Sequence, residues 1–268
     1  MRGRAVTRVA VVTGAARGIG ACTARRLAAD GFRLVLVDRC ADDPRLPYAL
    51  ATEDELRATC AACGGDDVAI AVVGDVRDQS VLDGAVATAV SRFGGVDAAL
   101  AIAGGVVGGR PGWETEDADW DAMFGINFDG VRRLATAAVP AMLSRPAPRH
   151  GRFIAVSSAG GTLGLPLLAG YSAAKHAVIG LIKSLAAELG PEGITANAVA
   201  PGSTATAMLQ ASAEVYGLAS PDEFASHHQL GRLVQPDEVA ALLAWLCGDD
   251  SSAITGAVLP VDAGMTAS

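Results

Sequence analysis

The chain has 268 residues, a net charge of -8 and 51% hydrophobic residues. That length can bury a sizeable core in one α/β domain, and one domain over 1–268 is expected. The acidic balance excludes nucleic acid or an anionic membrane as the main partner, because a basic patch would have to be assembled from few residues; no run of about 18 apolar residues occurs, so nothing reads as membrane-spanning and a cytoplasmic protein is expected.

The basic start, Met1 to Arg8, leads only into Val9–Val12, too short for a signal-peptide core, and that run reads as a strand. Thr13-Gly14-Ala-Ala-Arg17-Gly18-Ile19-Gly20 follows, then a helical pattern over Ala21 to Asp30 that ends at Gly31. Strand, glycine-rich turn and helix together form a phosphate cradle: Gly14, Gly18 and Gly20 let backbone approach a pyrophosphate that the helix start attracts. The second strand, Arg33 to Val37, ends at Asp38, where a carboxylate accepts hydrogen bonds from a ribose diol and repels a 2′-phosphate. NAD is therefore expected rather than NADP, although Arg17 and Arg39 are nearby groups that could reach a phosphate.

The segment from 40 to 67 is longer than a minimal connection. Pro44 and Pro47 make its first part irregular, Thr52 to Glu55 reads as a capping box opening a helix to about Ala62, and the whole reads as a lid over the cofactor. Cys60 and Cys63 lie within it; with no second Cys-x-x-Cys and no neighbouring histidine they read, like Cys22, Cys40 and Cys247, as ordinary cysteines, and no metal site is expected. Strands over Val68–Val73, Asp97–Ile102, Gly151–Val156, Ile194–Val199 and Ala257–Val261 alternate with helices over Gln79–Phe93, Asp117–Ser144, the stretch holding Tyr171, and Pro236–Cys247. This rhythm predicts a Rossmann-type, doubly wound parallel sheet with helices on both faces. Ligands gather at the strand ends in such a sheet. The glycine turn, Asp38, Asp75-Val76 (an adenine grip), Ala103-Gly104, Ser158 and Pro201 thus share one rim. The segment from 205 to 228 reads as a mobile substrate flap, with Met208, Leu209, Tyr216, Leu218, Phe224 and His227 lining a largely apolar pocket.

Tyr171-Ser-Ala-Ala-Lys175 places a phenol and an ammonium on one helix face. The chain has only two lysines, Lys175 and Lys183, so a lysine here needs a reason. An ammonium beside a phenol favours its anion and draws its pKa from about 10 toward neutrality.

These residues identify the chain, over essentially its full length, as similar to the short-chain dehydrogenase/reductases: Thr13-Gly14-x-x-x-Gly18-Ile19-Gly20, Asp75, Asn127, Ser158 with Tyr171 and Lys175, Asn197, and Pro201-Gly202 with Thr206. The resemblance implies that Tyr171 is the acid/base, that Lys175 lowers its pKa and binds the nicotinamide ribose, and that Ser158, not Ser157, holds the substrate oxygen. It also implies that Asn127 supports a water, that Pro201, Gly202 and Thr206 face the carboxamide, and that the protein is a homotetramer. Two departures stand out. Ala101-Ile-Ala103-Gly104 replaces the usual Asn-Asn-Ala-Gly, and Thr204 replaces an aliphatic residue. The insertion after Asp38 and the ending Val-Leu-Pro-Val-Asp262-Ala-Gly resemble the subgroup coupled to the redox carrier mycofactocin, which implies NAD that does not exchange. The expected activity is oxidation of a secondary alcohol, or the reverse reduction of a ketone. The alternatives are an ordinary ketoreductase of the acyl-carrier-protein type, with exchangeable NAD(P)H, and a non-catalytic NAD sensor; an epimerase would need more chain after Gly202.

Overall fold

The structure is a computed structural model that describes residues 7–267; the first part of the basic start, 1–6, lies outside the described residues. Alternation along the strands sets the architecture. In β1 (Val9–Thr13), Val9 and Val11 belong to one buried cluster and Ala10 and Val12 to another, because successive side chains leave a strand on opposite faces. β2 (Arg33–Asp38) divides Val35 and Val37 from Leu34 and Leu36 in the same way. A strand buried on both faces needs helices on both, and the chain supplies them. Leu82 and Val86 of α3 (Gln79–Phe93), Leu134 of α5 (Gly130–Leu143) and Val178 and Ile182 of α6 (Ala169–Leu189) cover one face. Leu27 of α1 (Gly18–Ala29), Leu56 of α2 (Glu53–Ala62) and Val239, Leu243 and Leu246 of α8 (Pro236–Cys247) cover the other.

With β3 (Ala69–Val73), β4 (Ala98–Ala101), β5 (Gly151–Val156), β6 (Ile194–Pro201) and β7 (Val258–Val261), the sheet has seven strands, all parallel, in the order β3-β2-β1-β4-β5-β6-β7. The chain winds outward from β1 to β3, then returns to lay β4 on the other side of β1. A crevice therefore opens beyond the carboxyl ends of β1 and β4, where crossovers depart in opposite directions. This is the Rossmann-type doubly wound sheet expected from the alternation of elements. Among the described residues no helix is long and apolar enough to cross a membrane.

Two elements differ from the sequence expectation. α1 begins at Gly18, not Ala21, so the last glycines of the turn form the helix's own first turn. The long helix expected over 117–144 is divided into α4 (Asp117–Phe124) and α5 by a five-residue π turn, Gly125–Asp129, with Asn127 at its centre. Such turns inside helices are rare and frequently lie at functional sites. The flap is a packed unit: α7 (Ala207–Val215) and a 3-10 turn at Pro221–His227 close over Leu209, Ala213, Phe224 and Leu233, with Tyr216 edge-on to Phe224 at 5.8 Å between ring centres. The capping box at the start of α2 is formed in both directions, Thr52 N–H to Glu55 Oε2 at 2.7 Å and Glu55 N–H to Thr52 Oγ1 at 3.3 Å.

Candidate active site

The glycine turn is shaped by backbone crowding. A side chain on Gly14 (φ +69°) would meet Ala103 N and Cα at 2.7 Å, and one on Gly20 would lie 1.9 Å from the Gly14 carbonyl oxygen. Thus Gly14 admits the loop after β4, Gly20 lets the turn fold on itself, and Gly18 (φ +56°) takes the left-handed corner at the helix start. Arg17, at the cap position of α1, gives no side-chain cap, and its guanidinium instead donates to the Ala49 carbonyl at 2.7 Å. The first N–H groups of the helix therefore have no side-chain partner, which is what an anion at that end requires. The Thr13 hydroxyl accepts from Ile102 N–H at 3.1 Å and Ala103 N–H at 3.3 Å, holding the ends of β1 and β4 together without the asparagine that Ala101-Ile-Ala103-Gly104 lacks.

A cleft of about 420 Å³ runs along this rim. Gly14, Arg17, Gly18, Ile19, Gly20, Asp38, Arg39, Asp75, Val76, Ala103 and Gly104 all border it. Asp38 closes β2 and accepts from Ala16 N–H at 2.9 Å. Leu46, Tyr48, Leu50 and Ala51 of the insertion form its roof. The Tyr48 hydroxyl oxygen accepts from Val106 N–H at 3.0 Å, fastening the insertion to the loop after β4. A second cavity of about 550 Å³ shares Ile19, Ile102, Gly104, Thr206 and Met208 with the first, so the two are continuous. Ser158, Tyr171, Lys175, Pro201, Gly202, Thr204 and Thr206 border it, together with all six expected flap residues, Met208, Leu209, Tyr216, Leu218, Phe224 and His227. The Tyr216 hydroxyl donates to the Pro166 carbonyl at 2.7 Å and so joins the flap to the opposite wall.

β5 and α6 supply the chemistry. Ser157 is buried and its hydroxyl donates to the Lys175 carbonyl at 2.9 Å, whereas Ser158 borders the cavity with Tyr171 and its hydroxyl oxygen accepts from Gly160 N–H at 3.1 Å. Lys175 is buried; its ammonium donates to the Val156 carbonyl at 2.9 Å and lies 5.7 Å from the centre of the Tyr171 ring. Burial holds the Tyr171 phenol above its ordinary range, the neighbouring Ser158 hydroxyl pulls the other way, and Tyr48 reinforces the rise. The Lys175 ammonium lies over the ring and is engaged by the Val156 carbonyl. Burial brings Lys175 itself down to about 8.

Lys175 then leaves a mark on stability. Below about pH 8 folded and unfolded chains both carry the proton, and burying the ammonium costs the fold roughly 3 kcal/mol. Between about pH 8 and the ordinary value of 10.5 the unfolded chain holds more protons, so the cost is relieved and stability rises with pH. Tyr171, with its raised pKa, opposes this only above the ordinary phenol value of 10.0. Denaturant midpoints measured from neutral pH to about 10 should climb in the wild type relative to Lys175→Met; parallel curves would refute the buried charge.

Asn127 lies beneath the site without bordering either cavity. Both hydrogens of its amide go to backbone carbonyls, Gly105 at 2.9 Å and Met123 at 3.0 Å, and its oxygen accepts from Gly105 N–H at 3.2 Å. The side chain ties the π turn to the loop after β4. The water-holding role implied by resemblance therefore has no free amide hydrogen to draw on. Asn197 similarly joins β6 to the approach to β7, through the Ile254 carbonyl at 2.8 Å and Ala257 N–H at 3.1 Å. Cys60 and Cys63 are buried free thiols whose pKa values burial raises. Sequence reasoning missed Leu46 and Tyr48. The signal for Tyr48 was scarcity: the chain has three tyrosines, and all three border the joined cavities.

A phosphate cradle at the β1–β4 crevice, joined to an apolar chamber that carries a phenol, a hydroxyl and an ammonium, defines a dinucleotide-dependent oxidoreductase. Comparison with known proteins narrows the class: a family model described as enoyl-(acyl carrier protein) reductase, of the short-chain dehydrogenase type, matches residues 14–266. The chain belongs to the short-chain dehydrogenase/reductase family. It is 37% identical to a (-)-trans-carveol dehydrogenase of Rhodococcus erythropolis, over 96% of this chain and 97% of that protein. It is 36% identical to an uncharacterised NAD-dependent oxidoreductase of Mycobacterium tuberculosis, over 96% and 95%. The crystal structure of carveol dehydrogenase from Mycobacterium avium in complex with NAD superposes with a TM-score of 0.91 at 34% identity, covering 99% of this chain and all of that one.

Proposed function

We propose that the protein is an NAD-dependent dehydrogenase of a hydrophobic, alicyclic secondary alcohol, interconverting it with the ketone, and that its NAD is held tightly and reoxidised in place by an external carrier such as mycofactocin. The observation that carries this reading is the continuity of the dinucleotide cleft with an apolar chamber whose wall bears Ser158, Tyr171 and Lys175. The residues fit NAD: an α1 start without a side-chain cap for the pyrophosphate, Asp38 for the adenosine ribose, Asp75 and Val76 for the adenine, and Lys175, Pro201, Gly202 and Thr206 for the nicotinamide half. Thr204 backs that half, donating to the Gly202 carbonyl at 3.0 Å.

Bound NAD supplies the hydride acceptor. Ser158 holds the substrate oxygen against Tyr171. Tyr171, protonated at neutral pH, gives its proton to a ketone oxygen, and in the oxidative direction takes the proton of the alcohol. Oxidation should accordingly quicken on the alkaline side. The raised phenol also favours a second reading, an ordinary ketoreductase with exchangeable cofactor. Against it stands the roof of Leu46 and Tyr48, fastened at Val106, which supports slow exchange. Kinship to proteins named carveol dehydrogenases supports an alicyclic substrate. The family resemblance adds a cytoplasmic homotetramer of single-domain subunits to this reading.

A panel of cyclic secondary alcohols, assayed with an artificial electron acceptor and separately with free NAD, tests the proposal. Turnover with the acceptor and little with free NAD is expected; brisk turnover on free NAD would sink the retained-cofactor part, and no oxidation of any alcohol by either route would sink the whole.

A further inference from the structure

Three guanidinium groups converge where β2 and β3 end. Arg39 Nη1, Arg77 Nη2 and Arg45 Nη2 lie 2.6, 2.7 and 3.0 Å from Asp43 Oδ2, and Arg45 adds its backbone N–H and Nε at 3.1 Å to Oδ1. Asp43 comes from the insertion, and its side chain is 1% exposed. Asp75 receives Arg77 Nε at 2.9 Å and lies 3.6 Å from Arg39 Nε. Arg39 and Arg77 border the dinucleotide cleft beside Asp38, whereas Asp43 does not. The wall next to Asp38 thus contains two cations, each drawn onto a carboxylate set behind it.

The charges balance as a group. Arg39, Arg45 and Arg77 are matched by Asp38, Asp43 and Asp75, and the balance turns positive if Asp43 loses its charge. A phosphate monoester on the adenosine ribose is received by arginines with free N–H groups, usually two at a time. Freeing a guanidinium already poised at the cleft is the smallest change that would offer one.

We propose that Asp43 is a specificity-determining positioning residue: by holding Arg39 and Arg77 in ion pairs it denies a ribose 2′-phosphate the cations that would bind it, so the cleft selects NAD by occupying its arginines as well as through the repulsion of Asp38. The inference rests on the dinucleotide reading above. It also assigns the insertion a role in cofactor choice separate from covering the cleft.

The test compares NAD and NADP on wild type, Asp43→Asn and Asp43→Asn/Arg39→Ala. Each is read by titration with both nucleotides and by identifying the nucleotide released when desalted protein is denatured. Asp43→Asn should raise the preference for NADP over NAD roughly ten- to hundredfold, the worth of one or two hydrogen bonds to a charged group, and Arg39→Ala should return it toward the wild-type ratio. An unchanged ratio, or equal weakening of both nucleotides, overturns the proposal and leaves Asp43 as a pin for the loop. If Asp43→Asn does not fold, Asp38→Asn and Asp38→Asn/Arg39→Ala decide it. With Asp43 still holding Arg39, the two should bind NADP within about twofold of each other, whereas a tenfold loss on removing Arg39 shows a free guanidinium and overturns it. A wild type that binds neither nucleotide and releases none on denaturation instead sinks the dinucleotide reading itself.

Discussion

Tyr171→Phe is expected to lower alcohol oxidation by about 10²- to 10⁴-fold, the usual contribution of a positioned acid/base, while NAD stays bound and the fold stays intact. The substitution keeps the ring, which packs against the clusters that hold Leu46 and Val106, and removes only the oxygen, whose polar neighbour is Ser158. The loss in stability should therefore be about 1 kcal/mol, the worth of one hydrogen bond. Rate and stability together make the result diagnostic. Unchanged turnover would remove Tyr171 from the chemistry, and a large fall in thermal midpoint would show that the hydroxyl is structural.

The second large effect is expected at Gly20. An added methyl would stand 1.9 Å from the Gly14 carbonyl, and the obstacle is backbone, so no side-chain rotation relieves it. Gly20→Ala should cost about 3 kcal/mol or more, a sizeable share of the stability of a typical domain, and the glycine turn should lose its grip on the dinucleotide. Gly84→Ala in α3 is the control, because nothing lies within 4 Å of the new methyl and the helix interior favours alanine by about 1 kcal/mol. Thermal melts of the two variants should shift in opposite directions. A Gly20→Ala protein that melts with the wild type and binds NAD normally would contradict the account of the turn.

Much of the fold was legible because local signals agreed with one another. α3, β5 and α8 occupy the ranges expected from periodicity, and each is punctuated by residues of strong preference: Gly94 in the left-handed region after α3, Gly151 opening β5 and Pro236 opening α8. What was not legible depends on contacts distant in sequence. Nothing around Asn127 announces a π turn, and the distant partner of its amide is the Gly105 loop. Spacing alone paired Lys175 with Tyr171, but it could not reveal that the Val156 carbonyl engages the ammonium or that burial would push the phenol up. The packing inside the flap is hidden for the same reason, since its apolar residues meet only once the chain has folded back, Leu209 and Phe224 against Leu233. Arg39 read as a possible phosphate ligand, and its actual partner, Asp43, lies in the insertion where no motif drew attention to it.

The insertion and the acid/base group are tested together by one measurement: purified, desalted protein is mixed anaerobically with a cyclic secondary alcohol and no added cofactor, and the reduced-nicotinamide absorbance is followed before the nucleotide is released by denaturation. The account predicts a single burst of reduced NAD, stoichiometric with the NAD released, quickened by raising the pH and absent in Tyr171→Phe. An NAD-bearing protein that gives no burst with any such alcohol, or an equal burst from Tyr171→Phe, would contradict it.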